Sequence, residues 1–354
     1  MAKNRRPAII VLGSSRVIGM RKQFFHGSFV NCGLAMSHLN EGAMFLEEVL
    51  KFHRPQVILL GLDFWWFNAA YAQPQTYPDH DASGTGNLLY KIKEPFTWFA
   101  KDRISLRTYL AIMLFRNNRN KITNYDNMGV LAIKDSNGFR EDGSYLHAET
   151  IFGFNPTFED IKFKQTLEFI DKGGLRFEYG QRVSPERVKD FHKIMAICRR
   201  HKIPLVVYLA PVAPSVYQKM QTMDRKYAYI GELRSYLQTL PVEFYDFYDI
   251  AEITARDCEF FDGFHPGEVL DQRILLQIVE QNPHTILKKY LNLSLMRAKV
   301  KEFSGHVLTE YHKSRYNFPE TDFLHLGCKK KGVGGARGLS GAGSQGRFKL
   351  TREN

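Results

Sequence analysis

Two short apolar runs constrain the fold of this chain more than any other feature. Residues 8–12 read Ala-Ile-Ile-Val-Leu before Gly13, and residues 56–62 read Gln-Val-Ile-Leu-Leu-Gly-Leu. Strands that are apolar on both faces are typical of parallel sheets covered by helices on each side. Further extended segments are predicted at residues 29–33, 205–209 and 242–248.

Helical patterns alternate with these strands. Apolar residues recur with helical spacing over 40–53, and Ser184 followed by Pro185 marks the start of a helix that ends before Pro204. Further helices are predicted over 227–240 and from Pro266 to about Gln281. The alternation predicts an α/β fold, a three-layer flavodoxin-like parallel sheet with helices on both faces. In such sheets the ligand crevice lies at the carboxyl ends of the strands.

The regular pattern is interrupted, and this divides the chain. We predict an α/β core from residues 1–68 and 184–290, and an insertion or cap region from residues 69–183. A C-terminal helical extension is predicted over 291–325. Residues 326–354 are rich in Gly, Ser and basic side chains, and they bury too little apolar surface to offset the entropy of ordering, so a disordered tail is predicted.

The charge balance does not indicate nucleic acid. The net charge is +12, but seven Lys or Arg and one Glu lie from Lys329 onward, so half of the excess belongs to the tail. No nucleic-acid-binding motif accompanies the charge, and no specific nucleic-acid partner is expected. No apolar stretch has the length of a membrane span or the form of a signal peptide, which favours the cytoplasm. Association with the bacterial cell envelope stays open, because the sequence could lack an anchor that lies upstream.

The four cysteines are scattered. Cys32, Cys198, Cys258 and Cys328 form no C-x-x-C pair, so the sequence predicts neither a metal site nor a cofactor. Cys198 falls on the apolar face of a helix and is expected in the core. This cysteine usage fits a reducing compartment as well as any other.

Three residues at the ends of the core suggest a chemistry. Ser15 follows the first strand, and Asp262 and His265 form a D-x-x-H segment just before the last core helix. A histidine can accept the serine proton while a carboxylate holds the imidazole in the required tautomer. All three residues follow predicted strands, so they are expected to meet at the same edge of the sheet.

The residues around this candidate triad resemble the sequence blocks of the SGNH (GDSL-type) hydrolase family. The nearest branch is the set of SGNH-like proteins linked to acylation of bacterial surface polysaccharides, in which Gly-Ser-Ser replaces Gly-Asp-Ser. Residues 138–145, Gly-Phe-Arg-Glu-Asp-Gly-Ser-Tyr, resemble that branch more loosely. The matching blocks are Gly13-Ser14-Ser15, Asn31-Cys32-Gly33, Gly61-Leu62-Asp63 and Asp262-Gly263-Phe264-His265.

The resemblance implies roles for further residues. The N–H groups of Ser15 and Gly33 would receive the oxyanion. Independently of the resemblance, Arg16 either binds an anionic group of the substrate or is a solvated arginine in the first turn of a helix. The family has an Asn donor where this chain has Asp63. Three interpretations of Asp63 are open. Burial protonates its carboxyl, or the side chain turns away to hydrogen-bond the loop backbone. In the third, catalysis is weakened, and Asp63→Asn would restore it. Asn68 is close enough in sequence to act as the donor instead.

Two functions follow from this interpretation. The first is a serine esterase or O-acyltransferase that acts on an acylated carbohydrate or a small acyl ester. The alternative is a non-catalytic SGNH-fold protein that binds glycans or acts as a scaffold in polysaccharide biosynthesis. The chain itself carries no membrane span in either case, which leaves room for a membrane-associated partner. Trp65, Trp66 and Phe67 fit either a sugar-stacking platform or an aromatic core.

Overall fold

A parallel sheet of five strands lies at the centre of the structure, a computed structural model that describes residues 5–72, 137–152, 160–309 and 320–330, with scattered positions between 96 and 110. A two-stranded antiparallel hairpin accompanies the sheet. The strands are β1 (Ile9–Gly13), β2 (Phe29–Gly33), β3 (Val57–Leu62), β4 (Gly138–Phe139), β5 (Tyr145–Leu146), β6 (Leu205–Leu209) and β7 (Glu243–Asp246). The sheet order is β2-β1-β3-β6-β7, and the hairpin is β4-β5.

Helices flank this sheet. The pairs α1–α4 and α7–α8 pack closely against each other. Among the described residues, no helix combines the length and apolar character that crossing a membrane requires. The α-helices are α1 (Leu39–Leu50), α2 (Ala148–Ile151), α3 (Lys164–Lys172), α4 (Pro185–Arg200), α5 (Pro214–Gln221), α6 (Ala228–Gln238), α7 (Glu268–Gln281) and α8 (Leu293–Glu302). Short 3-10 turns include Ser15–Val17, Lys22–Phe24, Phe64–Phe67, Ile161–Phe163, Asp224–Tyr227, Ile250–Ile253, Asp257–Glu259 and Ile286–Tyr290.

The predicted parallel α/β sheet is confirmed. Strands β1, β3 and β6 are buried along their whole length, as expected for strands that are apolar on both faces. The helix predicted over 40–53 is α1, and the helix that starts after Ser184 is α4. Its inner face carries Cys198, which is buried as expected.

One core helix, α5, is missing from the sequence-based prediction. It follows the segment Pro211-Val-Ala-Pro214, which has the composition of a loop. Pro214 stands at the first helical position, where the missing N–H has no intrahelical acceptor in any case. Only Val216 and Met220 are buried, so the helix is too short to show a strong apolar period.

The described parts of the predicted insertion contact the core directly. The backbone N–H of Asn31 in β2 donates to the Asp142 carbonyl at 2.8 Å, and the Tyr145 N–H donates to the Ile18 carbonyl at 3.0 Å. Gly143 adopts φ +89°, and a side chain there would meet the Asn31 carbonyl, so the turn at this position needs the conformational freedom of glycine. Within the insertion the sequence also suggests a helix over residues 99–115, and this stretch lies largely outside the described residues.

Residues 326–330, the first five of the predicted disordered tail, are fastened to the core. Cys328 forms a disulfide with Cys258, which the scattered cysteine spacing did not predict. The Lys330 ammonium donates to Glu320 at 2.6 Å and to the carbonyls of Cys258 and Gly305. These anchoring residues adjoin a longer Gly-rich segment that dominates the composition of the tail. Residues 331–354 lie outside the described part of the chain.

Candidate active site

The three predicted triad residues come together at the carboxyl edge of the sheet. Ser15 begins the 3-10 turn that follows β1, and its Oγ lies 2.7 Å from His265 Nε2. The other ring nitrogen, Nδ1, lies 2.6 Å from Asp262 Oδ2. A carboxylate only accepts hydrogen bonds, so Nδ1 carries the proton and Nε2 is left to accept from the serine hydroxyl. This is the arrangement that makes a serine nucleophilic.

Asp262 is held by its own loop. Its Oδ1 accepts from the backbone N–H groups of Phe264 at 2.9 Å and His265 at 2.8 Å, while Oδ2 binds the imidazole. Burial alone would raise the pKa of Asp262. The neighbouring imidazole and these hydrogen bonds outweigh that effect and hold the pKa below its ordinary value. The carboxyl therefore stays ionised at neutral pH, as its role in orienting His265 requires.

The loop that carries Asp262 and His265 is fastened from outside as well. The Gly263 N–H donates to Asp160 Oδ2 at 2.9 Å, and the Gly263 carbonyl accepts from the Ala213 N–H at 3.0 Å. Asp160 also accepts from the backbone and hydroxyl of Thr166. A side chain on Gly263 would approach Thr166 to 2.4 Å, so only glycine fits between these neighbours. Asp160 belongs to the predicted insertion, which thus supports the triad loop.

Arg16 and Asp63 form a buried pair behind Ser15. Each side chain is 1% exposed, and Arg16 Nη1 lies 3.0 Å from Asp63 Oδ1. Arg16 also donates to the carbonyls of Phe264, at 2.8 Å, and Pro211. Burial raises the pKa of Asp63, and the guanidinium beside it and the Ser14 hydroxyl oppose that rise. The pair joins the ends of β1, β3 and β6 to the triad loop, and it does not face an open cleft.

Gly33 lies beside the serine turn, but its N–H is occupied. It donates to the Asn31 side-chain oxygen at 2.7 Å. The Asn31 amide in turn donates to the carbonyls of Val17, at 2.7 Å, and Met20, at 2.8 Å. A side chain on Gly33 would come within 2.4 Å of Ile18, so this glycine permits close packing of β2 against the turn.

Asn68 is not brought to the triad. Its side-chain amide donates to the Glu178 carbonyl at 2.7 Å, and its side-chain oxygen accepts from the Ala70 N–H at 3.0 Å. The residue thus stabilises the backbone that leads into α4. The aromatic residues between Asp63 and Asn68 are fully buried, so they form an aromatic core. Phe264 packs against Trp65 with 5.9 Å between their ring centroids.

Ser15 and His265 open into a small pocket of about 30 Å³. Its wall is largely apolar, and Ile18, Ile151, Val307 and Leu308 contribute to it. A volume of this size accommodates only about two water-sized groups.

Glu268 lies at one side of the pocket and was not singled out by the sequence. Its Oε1 accepts from Arg140 at 2.8 Å, and its Oε2 accepts from the backbone and hydroxyl of Thr309, at 3.2 and 2.8 Å. Arg21 lies 3.5 Å from the same carboxylate. The buried charge is thus compensated by cations and hydrogen bonds.

His147 is a second histidine in the pocket, also missed by sequence reasoning. Its ring centroid lies 4.0 Å from that of Phe261 and 4.5 Å from that of Tyr145. Burial, and then the nearby His265, lower the pKa of His147 to about 3. The only sequence signal was its place two residues after Tyr145, the last residue of the segment 138–145.

Within the described part of the chain, the carboxylate of Asp271 on α7 lacks the hydrogen bonds and cations that compensate Asp262 and Glu268. It is fully buried, and neither carboxylate oxygen finds a hydrogen-bond partner among the described residues. A side chain on Gly19 would approach Asp271 Oδ2 to 2.4 Å, which places the carboxyl beneath the loop that follows the serine turn. Burial, reinforced by Glu268, raises the pKa of Asp271 well above its ordinary value.

Comparisons with known protein families, with curated proteins and with solved structures found no match to this chain.

Proposed function

We propose that this protein is a serine esterase or O-acyltransferase of the SGNH type. The observation that carries the proposal is the hydrogen-bonded series from Ser15 through His265 to Asp262, with distances of 2.7 and 2.6 Å. The sheet order gives further support, because β2-β1-β3 followed by the two later strands is the flavodoxin-like order. Ligands in such sheets bind at the carboxyl ends of the strands, where Ser15 lies.

The proposed reaction begins when His265 takes the proton of Ser15 and the serine oxygen attacks the ester carbonyl. His265 then returns the proton to the departing alcohol, and an acyl-serine remains. Water releases the acyl group in an esterase, whereas a sugar hydroxyl accepts it in a transferase. Asp262 holds the imidazole in the required tautomer throughout.

The substrate class rests on two supports. The small apolar pocket beside Ser15 favours a short acyl group over a long chain. The resemblance to proteins that acylate surface polysaccharides favours a carbohydrate as the alcohol component. We also propose that a membrane-associated partner supplies the acyl group.

The compartment proposed for this activity is oxidising. Disulfides persist outside the cytoplasm and are rare within it, so the Cys258–Cys328 bond supports the cell envelope over the cytoplasm. Titration of the denatured, unreduced protein with a thiol reagent should find two free thiols, those of Cys32 and Cys198. Four free thiols in protein taken from its native source would contradict this proposal.

A second candidate function is a non-catalytic protein that keeps the fold and binds glycans. One observation favours it: two of the three groups that would supply the oxyanion hole by resemblance are engaged elsewhere. The Gly33 N–H binds Asn31, and Asp63 pairs with Arg16.

Labelling with a fluorophosphonate distinguishes these candidates, because the probe needs an activated serine and no known substrate. We expect a single adduct on Ser15, located by mass spectrometry of peptides, and its loss in Ser15→Ala and His265→Ala. The matched control is Ser294→Ala, which removes an exposed serine and should label like the wild type. A wild-type protein that takes no label at Ser15 and hydrolyses no short-chain aryl ester would favour the glycan-binding candidate.

A further inference from the structure

The proposed acyl transfer requires hydrogen-bond donors directed at the carbonyl oxygen as it becomes an oxyanion. The Ser15 N–H, at the first position of a 3-10 turn, has no intrahelical acceptor and is one such donor. The two further donors implied by resemblance are absent, because the Gly33 N–H is bound to Asn31 and Asp63 is bound to Arg16. A second donor must therefore come from another part of the pocket wall.

His147 lies on that wall together with Ser15 and His265. Its ring stands between Phe261 and Tyr145, and the two aromatic contacts restrict its rotation. The hairpin that carries it is fixed to the serine turn, since the Tyr145 N–H donates to the Ile18 carbonyl at 3.0 Å. The imidazole is thus held at a constant place relative to the nucleophile.

The ring nitrogens of His147 are available to a ligand. No hydrogen bond joins either of them to another described residue, whereas the Glu268 carboxylate on the same wall is saturated by Arg140 and Thr309. With a pKa lowered to about 3, the imidazole is neutral at physiological pH and keeps one N–H donor. Neutral imidazole is an effective donor to a developing oxyanion because its own charge does not change during the reaction.

We propose that His147 is a catalytic residue that donates its ring N–H to the oxyanion formed at Ser15. This role rests on the proposed serine chemistry. The donor that it adds lies outside the sequence blocks that suggested that chemistry. Together with the Ser15 N–H, the imidazole completes an oxyanion hole in which Asp63 takes no part.

Substitution of His147 separates this role from simple packing. His147→Phe keeps a ring between Phe261 and Tyr145 but removes the donor. We expect kcat/KM for a short ester to fall about 10²–10³-fold, the usual worth of one oxyanion donor, with a smaller change in KM. His147→Gln keeps an N–H donor and should retain more activity than His147→Phe. The matched control is His192→Phe, an exposed histidine that also stacks on a tyrosine, Tyr236, and it should leave activity unchanged.

The affinity for trifluoroacetone distinguishes the two roles, because it would not change if His147 only packed against its neighbours. This ketone forms a negatively charged adduct with an activated serine, so its affinity reports stabilisation of the oxyanion. We expect His147→Phe to weaken inhibition by the same factor as it lowers kcat/KM. Activity of His147→Phe within threefold of wild type would overturn the inference. A variant that loses activity but binds the ketone as tightly as wild type would overturn it as well.

The proposed function can fail separately from this inference. Wild-type protein that forms no adduct with the fluorophosphonate would overturn the serine chemistry and the role of His147 with it. Normal labelling of Ser15 in the wild type, combined with full activity of His147→Phe, would overturn the donor role alone.

Discussion

Two acid–base pairs lie close to Ser15, and they differ in their access to solvent. In the triad loop the side chains of Asp262 and His265 are 15% and 21% exposed, whereas those of Asp63 and Arg16 are each 1% exposed. Both pairs bring an aspartate oxygen within 3.0 Å of a basic nitrogen. In the proposed reaction the open pair exchanges a proton with the substrate, whereas the sealed pair ties strand ends together.

The basic partner explains why the two pairs are suited to different tasks. An imidazole has one ring nitrogen that accepts a proton and one that donates, so a partly open site can use His265 as a base. The guanidinium of Arg16 stays protonated in proteins and offers a planar array of donors, which here reach Asp63 and two carbonyl groups. Substitutions in one pair should therefore affect catalysis, and substitutions in the other should affect stability.

Asp262→Asn gives the largest expected effect on catalysis. The variant no longer favours the tautomer that accepts the Ser15 proton, and kcat for a short ester should fall about 10⁴-fold. Stability by urea denaturation should fall modestly: the amide oxygen can still accept from the loop N–H groups of Phe264 and His265, but the charge that the fold stabilises is lost. Asp224→Asn on the surface is the control, with no expected effect on either. A loss of activity below tenfold would remove Asp262 from the triad.

Arg16→Met gives the largest expected effect on stability. It leaves the Asp63 carboxylate buried without its cation, which costs about 3–5 kcal/mol in the free energy of unfolding. Urea denaturation followed by circular dichroism measures the loss. Arg199→Met, at an exposed arginine in the last turn of α4, should stay within about 0.5 kcal/mol of wild type. Equal stability of the two variants would show that the buried pair does not hold the strand ends.

Asp63→Asn tests the same pair more gently. The amide keeps an oxygen for Arg16 but removes the charge, so we expect a loss of roughly 1.5–3 kcal/mol, the worth of a hydrogen bond to a charged group. Esterase activity should not increase, because the new amide stays directed at Arg16. The sequence alone suggested the opposite, that an asparagine at this place restores a donor to the reaction. A tenfold rise in kcat would return Asp63 to the oxyanion hole.

Asp271→Asn gives the smallest effect and shows it through pH. The folded state keeps a proton on Asp271 that the unfolded chain releases, so the wild type loses stability as pH rises from the ordinary carboxyl pKa toward the raised value in the fold. The melting temperature of the variant should rise relative to that of the wild type between pH 5 and pH 8, by roughly 2–4 °C for each kcal/mol that the wild type loses. The control Asp224→Asn should differ from wild type in melting temperature by the same amount at every pH in this range. The same result for Asp271→Asn would mean that this carboxyl finds a partner.

The sheet and the meeting of Ser15, His265 and Asp262 could both be predicted, because each contributing segment has a recognisable local pattern. Strand β1 and Ser15 lie in one apolar-to-glycine stretch, and Asp262 and His265 lie three residues apart. The roles of Arg16 and His147 depend on contacts between segments far apart in the chain, and no local pattern records them. Arg16 meets Phe264, which lies 248 residues away, and its buried pairing with Asp63 could not be distinguished from a solvated arginine in a first turn.

The disulfide between Cys258 and Cys328 has a consequence for how the chain responds to cleavage. The covalent ring that it closes includes Asp262, His265, α7 and α8, while Ser15 lies outside it. A protease that cuts once between residues 309 and 320 would produce two fragments that remain joined through sulfur. The nicked protein would migrate as one species on a gel until a reductant released the C-terminal piece, and the histidine and its aspartate would remain on the fragment that carries the nucleophile.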